Sequence, residues 1–309
     1  MCKEHVKAIK QILRNNGRGS IPVLKCMEHS NGTLKATDLT VMVQIDTPMI
    51  QDGIWKAEAL DYGFKDDTKE TEWTIQDFPE LPEVNTIQEI KLTGDDMAKI
   101  IRAMDFTSKD MTRPALTGVT FKDGNVYGCD GYKLYRNKIS QAPHDTLVIP
   151  AEAVKILKAV KANKREWSMT IYDDSTVLFK SGGFKLYSKV IDATPPEYDG
   201  LIKDRRYERK AAIDLKQIKN WKDRCIFIER GTSAIYLVDK DMKEKIQIEG
   251  EVIDYASSIG DRYHTEVVMP LADDRGLRID LAVMKQYKNK VILKYIDSGY
   301  KPVFVEEAK

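Results

Sequence analysis

Cysteine is scarce in this 309-residue chain and never closely paired: Cys2, Cys26, Cys129 and Cys225 are the only four, and no CxxC occurs. That excludes a disulfide framework and a zinc ribbon, and it fits a reducing cytoplasm. Eleven prolines, 18 glycines and 8% aromatic residues are too ordinary for a collagenous or low-complexity chain. No apolar run reaches the ~20 residues of a membrane span. The opening MCKEHVKAIKQILRNN alternates charged and apolar residues, so it reads as neither signal peptide nor membrane span. An excess of one charge is absent too. With 49 Lys+Arg against 48 Asp+Glu, attraction to nucleic acid has to come from charge gathered on one surface.

Catalytic signatures are equally sparse. There is no GxxxxGK phosphate loop, no GxGxxG turn and no GxSxG elbow; Gly182-Gly183 reads as a hairpin turn. His5, His29, His144 and His264 have no ligand spacing and read as surface or packing residues. The acid pairs Asp66-Asp67, Asp173-Asp174 and Asp273-Asp274 lie where turns are expected. The chain reads as a non-enzyme without metal or cofactor, and a hydrolase with an unrecognised site is the competing class.

What is present is a core-forming composition, 42% hydrophobic, in a chain longer than one ordinary core supports. Two proline-acidic clusters mark seams, around Phe78–Asn85 and Asp192–Gly200, each preceded by an alternating run that reads as a strand, Trp73–Gln76 and Leu186–Ile191. A second echo joins Asn31–Asp38 (NGTLKATD) to Asp123–Asp130 (DGNVYGCD): turn, strand, then Asp. These repeats divide the chain into units at 1–82, 83–200 and 201–309. In the third, a helix over 214–224 is expected before strands at Cys225–Arg230 and Ser233–Asp239.

The expected helices share a pattern. Val6, Ile9 and Leu13 make an apolar stripe while Lys3, Lys7, Lys10 and Arg14 take another face; Lys99 and Arg102 lie outside Met97, Ile100, Ile101 and Met104. Lys155, Lys158 and Lys161 accompany Val154, Leu157 and Val160; Lys216, Lys219 and Lys222 accompany Leu215 and Ile218; Lys285 and Lys288 accompany Leu281 and Met284. Lysine forms helices well and solvated faces are commonly charged, so one such helix means little. Shared by all of them, the pattern gives a near-neutral chain, if its helices lie on one side, one positive surface able to hold phosphates without reading bases.

The run TSKDMTRPALTGVTFKDGNVYGCDGYKLYRNKI, Thr107–Ile139, resembles the central domain of the bacterial DNA sliding clamp, the beta subunit of DNA polymerase III. IPVLKCMEHSNGTLKATDLTVMV, TIQDFPELP, IPAEAVKILKAV and SKVIDATPPEYDGLI match in the family's order, and LRIDLAVMKQY and IDSGYKPVFV match more weakly. The resemblance implies an α+β fold of three tandem clamp-type domains, helices on one face of antiparallel sheets. It also implies a homodimeric ring around duplex DNA that gives a polymerase processivity and reaches polymerase and clamp loader through a short linear peptide. Carried over, the peptide cleft takes Leu116, Cys129, Gly131, Tyr132 and Leu134 with Pro196, Leu201 and Ile202. The DNA-facing set becomes Lys7, Lys10, Arg14, Lys99, Arg102, Arg113, Lys155, Lys158, Lys161, Lys216, Lys219, Lys285 and Lys288. The first domain departs from the family by an absent opening strand and a second helix lost between Gly53 and Trp73; the third lacks the final strand after Glu307. Such trimming suits a phage or mobile element, and it opens an alternative: a clamp-like adaptor or decoy that binds clamp-binding peptides without encircling DNA.

Overall fold

The computed structural model describes the chain except residues 17–20, 49, 199–205, 219–223, 231, 233, 240, 259–263, 269–270, 274–275, 281–283, 285–286, 288, 296–302 and 308–309. It divides into two compact units, 1–128 with 138–195, and 129–137 with 196–309.

The first unit begins with α1 (Lys3–Asn15), which buries Ala8, Ile9 and Ile12. Each isoleucine withdrawn from water contributes about 1.5–3 kcal/mol. Strands β1 (Cys26–Ser30), β2 (Thr33–Thr37), β3 (Val41–Asp46) and β4 (Gly53–Lys56) come after it, then α2 (Ala59–Tyr62). The stretch where the resemblance implied a lost helix therefore keeps one helical turn. Next come β5 (Thr86–Leu92), α3 (Gly94–Met104), β6 (Gly118–Lys122) and β7 (Asn125–Cys129). β8 (Lys133–Lys138) falls mainly in the second unit. The first unit closes with β9 (Leu147–Pro150), α4 (Ala151–Ala159), β10 (Trp167–Tyr172), β11 (Thr176–Ser181) and β12 (Phe184–Lys189).

Its main sheet is antiparallel, in the order β4-β1-β2-β3-β12-β11-β10-β5. The β3–β12 ladder, from Val41↔Ser188 to Ile45↔Phe184, carries the sheet across the first seam. Residues 79–85, which contain the expected boundary at 82, are neither helix nor strand. β6 pairs with both β7 and β9. α1 packs on β2 and β3, α3 and α4 on β6, and α4 touches α1 and α3. Gly128 makes one of these approaches possible, since a Cβ there would sit 1.9 Å from the Ala103 carbonyl oxygen.

The second unit holds β13 (Arg206–Asp214), β14 (Arg224–Glu229), β15 (Ile235–Asp239), β16 (Lys245–Gln247), β17 (Gly250–Ser258), β18 (His264–Val268), β19 (Leu271–Asp273), β20 (Gly276–Asp280), β21 (Lys290–Tyr295) and β22 (Val303–Glu307). One sheet runs β17-β13-β21-β22-β18-β8, the other β16-β15-β14-β20-β19, with every pairing antiparallel.

Several expected elements take another form. Residues 214–218 do not begin a long helix: β13 runs to Asp214, Leu215–Gln217 is a single 3-10 turn and Ile218 is extended. The Asp214 side chain accepts from the Lys216 amide and Leu215 donates to the Asn289 carbonyl, so the local cap and a distant segment hold the turn short. LRID, expected in the last helix, lies on β20, and most of the stretch 281–288 is outside the described residues. Trp73–Gln76 is not a strand. Thr74 and Asp77 form a capping box that winds Ile75–Asp77 into a 3-10 turn.

The echo between Asn31–Asp38 and Asp123–Asp130 is structural. Asn31 (φ 51) with Gly32 (φ 74), and Asp123 (φ 49) with Gly124 (φ 77), form left-handed two-residue hairpin turns. Asp38 Oδ1 then accepts the amides of Thr40 at 3.0 Å and Val41 at 2.9 Å. Asp130 Oδ1 accepts those of Tyr132 and Lys133, both at 2.9 Å. After β15, Asp239 Oδ1 likewise accepts the Glu244 amide at 2.9 Å. Three β-hairpins thus end in an aspartate that fastens the start of the next strand.

Candidate nucleic-acid and peptide interfaces

α1, α4 and α3 present the expected cations on their solvent sides, but most of these already hold a carboxylate. Lys99 pairs with Asp95 at 2.7 Å and Lys155 with Glu152 at 2.9 Å, within single helices. Arg102 and Lys158 both reach Asp105, each at 3.4 Å. Lys161 reaches Glu4 at 2.7 Å, Lys10 pairs with Asp61, and Arg113 in the loop before β6 pairs with Asp110 at 3.2 Å. Among the described residues Lys7, Arg14 and Lys216 are exposed and have no ion-pair partner. Lys219, Lys285 and Lys288 lie outside the described residues.

Exposed pairs of this kind are each worth about 0–1 kcal/mol and are screened by salt, so a stronger anion can displace the carboxylate. A count of lysines along the sequence misses these partners. Asp95–Lys99, Glu152–Lys155 and Arg102–Asp105 were visible as i, i+3 or i+4 spacings. Lys10–Asp61, Lys158–Asp105 and Lys161–Glu4 join distant segments and left no local signal.

α3 is held at its start by a capping box between Thr93 and Asp96. Burial raises the Asp96 pKa, but hydrogen bonds from Ser140 and Thr93 outweigh it and keep the carboxyl below its ordinary value. The helix that presents Lys99 and Arg102 is therefore fixed at its first turn.

Of the expected peptide-binding residues that the structure describes, five sit in the second unit. Asp130 holds the turn, Gly131 takes φ 93 and donates its amide to Cys129 Sγ at 3.3 Å, and Tyr132 stands 70% exposed. Cys129 and Leu134 are buried, and Pro196 is exposed. Leu116, in the first unit, is buried at the end of the 3-10 turn Pro114–Leu116. Leu201 and Ile202 lie outside the described residues. Among the described residues no His, Cys, Asp or Glu cluster could hold a metal, and no helix is long and apolar enough to cross a membrane.

No family model matches the chain. The curated Beta sliding clamp of Bacillus subtilis (strain 168) is 25% identical over 183 residues, covering 56% of this chain and 48% of that protein. The Staphylococcus aureus (strain Mu50) protein of the same name is 26% identical over 174 residues, covering 53% and 46%. The chain thus matches about half the length of these curated relatives. Among solved structures, the DNA polymerase III subunit beta from Bartonella birtlesii, bound to griselimycin, superposes with a TM-score of 0.70 at 16% identity, over 98% of this chain and 96% of that one. The beta subunit from Streptococcus pyogenes gives 0.70 at 15%, over 98% and 94%, and that from Thermotoga maritima 0.67 at 13%, over 99% and 96%.

The fold is that of a bacterial sliding clamp. The resemblance to the sliding-clamp family is supported by curated relatives and by solved structures, and so is the expected α+β class built on antiparallel sheets.

Proposed function

We propose that the chain is a DNA sliding clamp: a processivity factor, not an enzyme, that acts in the cytoplasm by encircling duplex DNA and tethering a polymerase. Three tandem domains, bounded near 82 and 200, make up each chain, and two chains close the ring. Backbone phosphates are held by the cations of α1, α3 and α4 with Arg113, by Lys216, and by Lys219, Lys285 and Lys288 of the third domain, without regard to base sequence. Polymerase and clamp loader dock through a short linear peptide at the Asp130 turn, with exposed Tyr132 as its contact.

The observation that carries this reading is the sliding-clamp fold over 98% of the chain. Its physical logic comes from the ion pairs. A cation already paired with a carboxylate exchanges that partner for a phosphate at little net gain, which suits a protein that must travel along DNA.

The test is retention on nicked circular DNA after loading, with linearisation of the circle as control. Retention on the circle and loss from linear DNA is expected; equal behaviour on both overturns encirclement. Light scattering over a tenfold concentration range should give twice the chain mass. A second reading, the non-encircling adaptor or decoy, draws on the same neutralising ion pairs, and a single-chain mass with and without DNA would favour it.

A further inference from the structure

The turn after β2 has the same aspartate-held backbone as the turn after β7 but a different residue at its left-handed position. Where the second has Gly131 at φ 93, the first has Leu39 at φ 71. A leucine rarely adopts this left-handed conformation, because its Cβ crowds the following carbonyl. Leu39 nevertheless adopts it, and its side chain stands 50% exposed. Backbone strain at an exposed apolar residue points to a role for that side chain.

Beside Leu39 is a cavity of about 250 Å³. Leu39, Met42, Leu81 and Tyr187 provide its apolar wall; Met42 and Tyr187 face each other across the β3–β12 ladder. Glu80, Asp174 and Lys189 also line it, two carboxylates against one ammonium, with the Asp174 oxygens accepting from the Thr176 amide and hydroxyl. The volume is below the roughly 300–1,000 Å³ of sites for drug-sized ligands, so it suits one or two side chains and not a cofactor.

The floor of the first seam supplies the rest. Leu81 precedes Pro82, which biases it to an extended backbone. The amides of Glu80 and Leu81 have no hydrogen-bond partner among the described residues. An extended segment with unused backbone groups beside an apolar hole is what a second extended strand can pair with while one of its side chains enters the hole.

We propose that this cavity is a second docking site, for a short extended peptide of a partner protein that carries one aliphatic side chain next to a basic residue. The aliphatic group enters between Leu39, Met42, Leu81 and Tyr187, the basic group faces Glu80 and Asp174, and the peptide backbone pairs with Glu80 and Leu81. The site lies wholly within the first unit and does not depend on DNA encirclement.

The test uses the full chain and a fluorescein-labelled heptapeptide with Leu-Arg at its centre, read by anisotropy. Counterparts with Ala-Arg or Leu-Glu should bind at least about tenfold more weakly, the size of one lost contact. Leu39→Gly is the decisive variant, because it relieves the left-handed strain and so keeps the fold while removing the apolar wall; about tenfold weaker binding is expected. Tyr132→Ala, at the other turn, should leave this binding unchanged, and Leu39→Gly should leave retention on circular DNA unchanged. No binding at about 1 mM, equal binding of the three peptides, indifference to Leu39→Gly, loss on Tyr132→Ala, or occupancy by small apolar compounds alone would each overturn the proposal.

Discussion

Glu4 in the first turn of α1 and Lys161, the left-handed residue after α4, meet at 2.7 Å. The contact clips the start of one helix to the end of another that is far away in sequence. Hydrogen bonding from Lys161, with the Glu4 amide and the Lys161 charge, lowers the carboxyl from 4.5 to about 2. A depressed carboxylate stabilises the fold above its unfolded pKa and loses that contribution as pH falls through the folded one. Glu4→Gln should therefore lower the melting temperature at pH 7, and the gap from wild type should shrink between pH 4.5 and about 2. Thermal melts at several pH values check it; a gap independent of pH would contradict the pairing.

Asp105 restrains two cations, Arg102 and Lys158. Asp105→Asn should free both for phosphate and strengthen retention on DNA. Each added phosphate contact should steepen the dependence of log K on log salt by about 0.9. Lys7→Glu with Arg14→Glu should act in the opposite direction. Salt titrations of DNA binding provide the measurement, and an unchanged slope in both variants would remove these helices from the DNA surface.

At the Asp130 turn, exposure decides which substitution is informative. Leu134 is only 3% exposed, so a charge there tests the core before it tests any ligand. Tyr132, 70% exposed, tests the surface. Tyr132→Ala should leave the melting temperature within about a degree or two, as for other surface changes, and weaken a polymerase-derived peptide by about 2 kcal/mol. Calorimetric titration decides it: equal affinities would separate this turn from peptide docking.

Burial, and secondarily the nearby Glu70 carboxylate, pushes the Cys26 thiol up to about 11. Cys129 and Cys225 are also buried, whereas Cys2 is exposed. Brief alkylation of the folded protein at neutral pH should modify Cys2 and spare the others. Peptide mass mapping would show it, and prompt modification of Cys26 would mean that β1 opens readily.

Gly128 and Gly124 separate crowding from backbone conformation. At Gly128 an added Cβ meets the Ala103 oxygen at 1.9 Å, whereas at Gly124, with φ +77, it meets nothing within 4 Å. Gly128→Ala should lose about 3 kcal/mol or more, and Gly124→Ala about 1–2 kcal/mol from its left-handed backbone alone. Urea unfolding of the two variants ranks them; the reverse order would mean that α3 does not approach β7 so closely.

The parts legible in the sequence were those fixed locally. Asn31-Gly32 and Asp123-Gly124 specify their turns by themselves, and Asp38 and Asp130 bind amides only two and three residues ahead. The apolar stripe of α1 was visible because helical spacing is short-range. Leu215–Gln217 carries a helical signal that the fold overrides, because lysines at helical spacing flank a turn whose length is set by Asp214 and by Asn289 on a distant segment. The candidate surfaces suffered most. Asp61, Asp105 and Glu4 meet their cations only after folding, and Leu39 reaches Leu81 and Tyr187 only once the β3–β12 ladder has formed.

That ladder separates covalent from mechanical continuity. From Val41↔Ser188 to Ile45↔Phe184 the sheet is held by backbone hydrogen bonds and by the fully or nearly buried Val43, Ile45, Phe184 and Leu186. The strand-free residues 79–85 add no ladder of their own and are tied down locally, as where Asn85 bonds Asp173 at 2.8 Å. A protease that cuts there would leave two fragments that still behave as one body, and force applied along the sheet would pass through β3 and β12.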